Sequence, residues 1–280
     1  MAAVVYGLLA AVFYGAADFC GGVAARRSAV FAVTIISQLA GLLALFVILA
    51  FTHWRLTRGD LLFGALAGVC AGSGLALFYH ALAIGRMGIV SPITAVLAAA
   101  VPVAASLVRG ERLHVTQGAG MLLALVAVVL IAASFEEGEG GTREIATEGV
   151  REALVAGLII GGFILFLSRA SPASGVAILL PARAASVLVL LAIAAGLRGS
   201  VRTSVPVLPL IVLCGVLDMA ANAFFVLSAR AGYVSIASVL TGLYPASTVV
   251  LAWLVLRERL QRVQRWGVLL ALVGVALIAA

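Results

Sequence analysis

Long apolar runs, separated by short polar breaks, follow one another along this chain of 280 residues. A helix needs about 20 mostly apolar residues to cross a hydrocarbon core of about 30 Å. Ten runs of that size can be laid along the sequence: 3–24, 30–51, 60–84, 88–108 and 115–134, then 151–170, 174–196, 206–230, 234–255 and 263–280. Backbone polar groups in lipid must be satisfied within their own segment, so each run predicts a helix and not an open strand. Between the two sets lies 135–150, an acidic, Gly-rich stretch with Glu136, Glu137, Glu139, Glu144 and Glu148, which reads as a solvated linker.

The pattern also repeats. Residues 105–133 and 252–280 align without a gap, with 18 of 29 positions identical, far above chance even for apolar sequence. Glu111-Arg112-Leu113 falls on Glu258-Arg259-Leu260, Gln117 on Gln264 and Gly120 on Gly267. Upstream, Gly68 matches Gly215, Phe78 matches Phe225 and Gly85 matches Gly232, while Gly7 matches Gly157 and Phe13 matches Phe163. Five helices per copy is an odd number of crossings, so the second copy must lie upside down relative to the first. The predicted fold is therefore an all-α integral membrane protein. It has ten transmembrane helices, as two inverted-topology five-helix repeats, 1–134 and 151–280. Inverted repeats around a midplane site are the architecture of many secondary transporters.

Composition changes the solvent. Hydrophobic residues make up 64% of the chain and charged residues 10%, against about 45–50% and 25% in soluble domains, so the expected partner is a lipid bilayer. The net charge of +7 comes from 18 basic residues, all Arg and nearly all between apolar runs. That is loop charging of a multi-pass membrane protein and gives no reason to expect nucleic acid. Arg bias across the ten runs puts the termini outside. The first run has no basic stretch before it and reads as a first helix, not a cleaved signal. Cys20, Cys70 and Cys214 stand singly inside apolar runs and read as packing residues, so neither metal nor disulfide is expected.

Packing and kink signals are plain. Gly64, Gly68 and Gly72 recur every fourth residue, a stripe that lets another helix approach. Pro92, Pro102, Pro181 and Pro245 fall inside runs, and Pro245 aligns with Ala98, so the halves should be kinked differently. Trp54, Trp253 and Trp266 lie near run ends as interface anchors.

The candidates for chemistry are polar groups deep in the runs. Asp18, Arg183 and Asp218 each cost about 2.5–3.5 kcal/mol at a helix centre, so they should face a cavity or one another. One reading is an internal Asp/Arg pair that locks helices together. The other has Arg183 hold an anionic group of a substrate while Asp218 or Asp18 binds a proton or an amine. Asn222 lies one turn from Asp218, and Gln38 falls close to the position of Arg183 under the repeat. Tyr79 and His80 are candidates for a proton relay, and Tyr14, Ser91, Thr94, Thr241 and Tyr244 for cavity hydroxyls. An enzyme is not expected. Ser73 and His80 stand about 10 Å apart along one helix and cannot pair as nucleophile and base. Paired carboxylates, a phosphate-binding Gly loop, metal-ligand spacing and cofactor motifs are all missing from the sequence.

Two halves each ending in an apolar run preceded by Glu-Arg-Leu, with Ala81-Leu82-Ala83 followed by Val90-Ser91-Pro92, resemble the EamA-type family of the drug/metabolite transporter superfamily. The resemblance covers nearly the whole chain. It implies a ten-helix carrier of the cell inner membrane, usually an exporter of amino acids, other metabolites or drugs. Both termini would be cytoplasmic, against the Arg bias, with a central cavity between the halves. Asp18 resembles in placement the acidic first-helix residue with which half-size relatives exchange protons for cations. The expected function is secondary transport of a small molecule by alternating access, with protons as a candidate partner. The alternatives are gradient-independent exchange of sugar or phosphorylated compounds and a non-transporting scaffold. Substrate and oligomeric state are not legible.

Overall fold

A computed structural model describes residues 2–108, 115–132, 135–137, 143–145, 148–167, 169, 171, 173–231, 240–257 and 262–279. Both Glu-Arg-Leu motifs lie outside them. The helices are α1 (Ala2–Ala25), α2 (Val30–Ala50), α3 (Arg58–Ile84), α4 (Met87–Val108), α5 (Val115–Ala132), α6 (Val150–Leu167), α7 (Leu179–Gly196), α8 (Leu208–Ala231), α9 (Tyr244–Leu251) and α10 (Arg262–Ala279). Among the described residues, six helices are long and apolar enough to cross a membrane: α1, α2, α3, α6, and α7 and α8 with the 3-10 turns that lead into them. The linker is not featureless. Phe135–Glu137 pairs antiparallel with Arg143–Ile145 in a two-stranded ribbon.

The ninth run does not form one straight helix. It turns at Gly242–Leu243 before α9, ends in a π turn over Ala252–Leu256, and stops at Arg257 in the left-handed region, φ 56°. Pro245 explains the break, because it has no N–H to give the carbonyl of Thr241 and its ring crowds that carbonyl. As the second residue of α9 it costs nothing, since the first N–H groups of a helix have no partner within it. The corresponding α4 runs unbroken through Pro92 and Pro102.

Helices pack across the two halves more than within them. α1 packs along α8 and α9, and α3 along α6 and α7; α4 lies on α6, α2 on α8 and α7, and α5 on α10. Exchanging each helix with the one five places on maps these pairings onto themselves. The aligned glycines show the same correspondence in atomic detail. A Cβ on Gly68 would collide with the backbone carbonyl of Ala182 in α7, and a Cβ on Gly215 with that of Ser37 in α2. Gly7 meets Leu240 of the ninth run as Gly157 meets Leu97 of α4. The stripe Gly64, Gly68, Gly72 ascends beside Pro181, Ala182 and Ser186, so α3 and α7 run in the same direction. Gly74 meets Ile160, whereas Gly162 meets Cys70, so α3 and α6 run in opposite directions. Apolar helices gain little from lipid by associating, so close backbone approach of this kind must supply the packing.

Polar staples fix two of the turns. Thr57 and Asp60 form a capping box at the start of α3, and the carboxylate of Asp60, 1% exposed, also accepts from the backbone N–H and hydroxyl of Ser171, both at 2.7 Å. The sequence shows Thr-x-x-Asp, but not the loop after α6 that it captures. At the opposite ends of these helices the Arg26 guanidinium donates to the carbonyls of Leu82, 3.0 Å, and Gly85, 2.7 Å. Trp54, Trp253 and Trp266 are all exposed.

Because Gly68 and Gly215 make equivalent approaches, valine at either should overpack its helix pair by about 1–3 kcal/mol. Alanine at Gly118, where a Cβ meets nothing within 4 Å, should leave thermal unfolding in detergent unchanged. Equal tolerance at all three positions would show that the aligned glycines do not set the packing.

Candidate functional site

The deep polar residues converge from six helices on the seam between α1, α2, α8 and α9 on one side and α3 and α7 on the other. Arg183 of α7 bridges it. Its Nη1 donates to Gln38 Oε1 on α2 and its Nη2 to Asp218 Oδ2 on α8, the latter an ion pair whose side chains are 8% and 18% exposed. Room for the guanidinium comes from Gly41, whose absent Cβ would stand 3.4 Å from Arg183 Cζ. Asn222 lies one helical turn beyond Asp218 and donates through Nδ2 to its backbone carbonyl, 2.8 Å, and to its Oδ2, 3.4 Å. Asn222 Oδ1 is buried and has no hydrogen-bond partner.

Asp18 is the second carboxylate. It is 8% exposed, has no hydrogen-bonding or ion-pair partner among the described residues, and interacts electrostatically with Asp218. Glycines stand one turn to either side of it on α1. Gly15 lets the α9 backbone approach at Tyr244 and Thr248, whose hydroxyl donates to the Gly15 carbonyl at 3.3 Å, and Gly21 lies against the ring of Tyr79. Tyr14 and Tyr244 place their rings 6.1 Å apart, centroid to centroid, and both interact electrostatically with Asp18. Tyr79 closes the seam from α3, its hydroxyl 2.9 Å from Cys214 Sγ on α8. Cys214, expected to be a packing residue only, is thus also a polar partner.

Apolar clusters flank the site along the helices that build it. On α2, Gln38 lies between Val33 of one cluster and Leu45 of another; on α8, Asp218 lies between Cys214 and Met219 in the same way. The polar groups therefore sit at mid-height, with apolar packing toward both ends.

Asp18, Tyr14, Gln38, Tyr79, Arg183, Asp218, Asn222 and Tyr244 are brought together. Others are not. His80 is exposed on α3. Thr94 is fully buried and donates to the Ala153 carbonyl at 3.3 Å, joining α4 to α6, and Ser91 is buried with an unpartnered hydroxyl. Thr241, just before the break in the ninth run, also has a buried hydroxyl without a partner. Among the described residues no group of His, Cys, Asp and Glu could hold a metal ion. Chemically, the arrangement offers one guanidinium, two carboxylates, a buried amide oxygen without a partner and phenolic hydroxyls.

Comparison with known proteins gives three findings. The EamA-like transporter family matches residues 1–133 and 149–280, nearly the whole chain. An uncharacterized protein of Methanocaldococcus jannaschii is 26% identical over 133 residues, which is 47% of this chain and 97% of that protein. It thus has about the length of one half. A protein of known crystal structure shares the fold with a TM-score of 0.63 at 15% identity, covering 98% of this chain and 95% of the other.

Removing one partner of a buried pair strands the other charge, at a cost of about 3–5 kcal/mol. Asp218→Ala should therefore unfold markedly earlier than the wild type in thermal melts in detergent, and Asp218→Asn, which keeps an acceptor for Arg183, should fall between. Melting of both variants with the wild type would remove the pair from the stability of the fold.

Proposed function

Because this chain belongs to the EamA-like transporter family, we propose that it is a secondary carrier. It moves a small amphipathic metabolite or drug across the cell inner membrane by alternating access. The direction we propose is export. All ten helical runs cross the bilayer in this reading, as two inverted five-helix repeats, which the opposed directions of α3 and α6 and the symmetric pairings support. Two mixed groups of helices, α1, α2, α8 and α9 against α3, α4, α6 and α7, then rock about the seam. The apolar cluster toward one end and that toward the other take turns in closing the path to the polar site.

One observation carries this reading more than any other: Asp18 is a buried carboxylate with no hydrogen-bonding or ion-pair partner among the described residues, beside an Arg183–Asp218 pair that already uses the guanidinium of the site. With both carboxylates ionised the site holds one positive and two negative charges. A partnerless charge inside a membrane is expensive, so the cycle must bring a positive charge to Asp18, either a proton or an amino group of the solute. Tyr14 and Tyr244 line the approach as amphipathic walls.

Counterflow in proteoliposomes tests it, with labelled amino acids, nucleobases, sugar phosphates and organic cations, each with and without a pH gradient. Selective accumulation driven by the gradient is expected, and Asp18→Asn should reduce that accumulation by up to about tenfold per unit of pH gradient, the limit set by one coupled proton. Exchange of phosphorylated compounds indifferent to the gradient would replace the proton-linked reading with an anion exchanger. Absence of flux for every compound, with no ligand raising the melting temperature, would favour a scaffold.

A further inference from the structure

Arg183 is occupied before any solute arrives. Its two terminal nitrogens are held by Gln38 from α2 and by Asp218 from α8, across the seam that alternating access must work. Anything anionic that seeks this guanidinium meets the carboxylate of Asp218 on it and that of Asp18 nearby. Adding a third negative charge to two carboxylates and one guanidinium in an apolar interior is unfavourable. Asn222 adds a second sign that the arrangement is incomplete: its amide nitrogen holds Asp218, while its buried oxygen has nothing to accept from. A carboxylic acid group in place of the Asp218 carboxylate, one helical turn away, would carry such a donor.

From these contacts we infer that Asp218 is a built-in occupant of an anion site, which the carboxylate of a solute replaces on Arg183 while the displaced Asp218 takes up a proton. The inference rests on the carrier reading and deepens it. The exchange balances. An anion oxygen accepts from Arg183 Nη2 in place of Asp218 Oδ2; a proton from water joins the Asp218 carboxyl, whose O–H then faces the free Asn222 oxygen; the net charge of the site is unchanged. It also undoes the ion pair that ties α7 to α8 across the seam, so binding and loosening of the seam become a single event. Arg183 from α7 and Asn222 from α8 touch the Asp218 side chain, and the titratable groups that interact with it electrostatically are Asp18 and Tyr14 from α1, Tyr79 from α3 and Cys214 on α8 itself.

The probe is acetate, titrated against chloride at constant ionic strength into the purified full-length protein in detergent, with thermal unfolding as the readout. Acetate should stabilise Asp218→Ala, refilling the vacated position, with a half-maximal concentration that does not change between pH 6.5 and pH 8, a window chosen to keep acetate ionised. In the wild type the bound state holds one more proton than the free state, so the half-maximal concentration should fall as pH falls, by up to about tenfold per pH unit. Arg183→Gln added to Asp218→Ala should abolish the effect. Should Asp218→Ala fail to fold, Asp218→Gly with acetate present throughout purification and the wild-type titration decide the matter. Wild-type binding independent of pH would mean that anions sit beside Asp218, and no stabilisation of either protein by acetate would mean that Arg183 holds no exchangeable anion; either overturns the inference. The readout is occupancy without flux, so it stands or falls separately from counterflow.

Discussion

A polar group in hydrocarbon has no water to fall back on, and that constraint shapes this protein at every scale. It makes the backbone helical wherever it meets lipid. It accounts for Asp60, whose carboxylate would be costly inside the protein were it not met by Thr57 and Ser171, and for the Arg26 guanidinium spent on the end carbonyls of α3. In the centre the same rule draws Arg183, Gln38 and Asp218 together across three helices. Within that centre the rule is left unmet at Asp18, among the described residues, and at the oxygen of Asn222, as it is elsewhere at the hydroxyls of Ser91, Ser186 and Thr241.

Within that frame, packing is a matter of backbone proximity. Helices of opposite halves touch at glycines, and the duplicated positions Gly68 and Gly215 do the same work on carbonyls of α7 and α2. The likeness ends at the turns and kinks. Asp60 binds the loop after α6 with two bonds to Ser171, whereas the related pairing, between the turn after α1 and the segment before α8, is a single hydroxyl contact of Ser28 with Thr203, 2.9 Å. α4 is continuous, while the ninth run breaks before Pro245 beside Asp18. The symmetric skeleton sets which helices meet, and these departures give its two ends different strengths.

Much of this was legible in the sequence, for definite reasons. Run length and hydropathy reflect the thickness of the solvent directly, so helices stand where ten runs were drawn, within a few residues for those wholly described. Charge in an apolar helix is rare enough that Asp18, Arg183 and Asp218 stood out, and burial brought them together as the cost argument requires. The residues judged by type alone fared differently. Nothing in the string distinguishes the face of α3 that carries Tyr79 into the seam from the one that leaves His80 exposed, because α3 is apolar nearly all round and its amphipathic signal is weak. Cys214 was legible only as small and apolar, since its hydrogen bond to Tyr79 depends on a residue far away in the chain. The break at Gly242 was legible as a kink at Pro245, but not as a turn with a π segment after it.

One contact has a bearing on how such a chain arose. Gln38 and Arg183 occupy nearly the same place in the two halves, and they touch each other, so the axis relating the halves runs between them. In an ancestor built from two copies of one half-length chain, a residue at that place would face itself. Two glutamines can bond reciprocally there, but two arginines would set like charges together with no water to separate them. A guanidinium on the axis becomes admissible only when its opposite number is free to be something else, and a symmetric pair of chains cannot grant that freedom. Within one polypeptide the two positions are free to differ, and here one carries the cation while the other supplies its neutral acceptor.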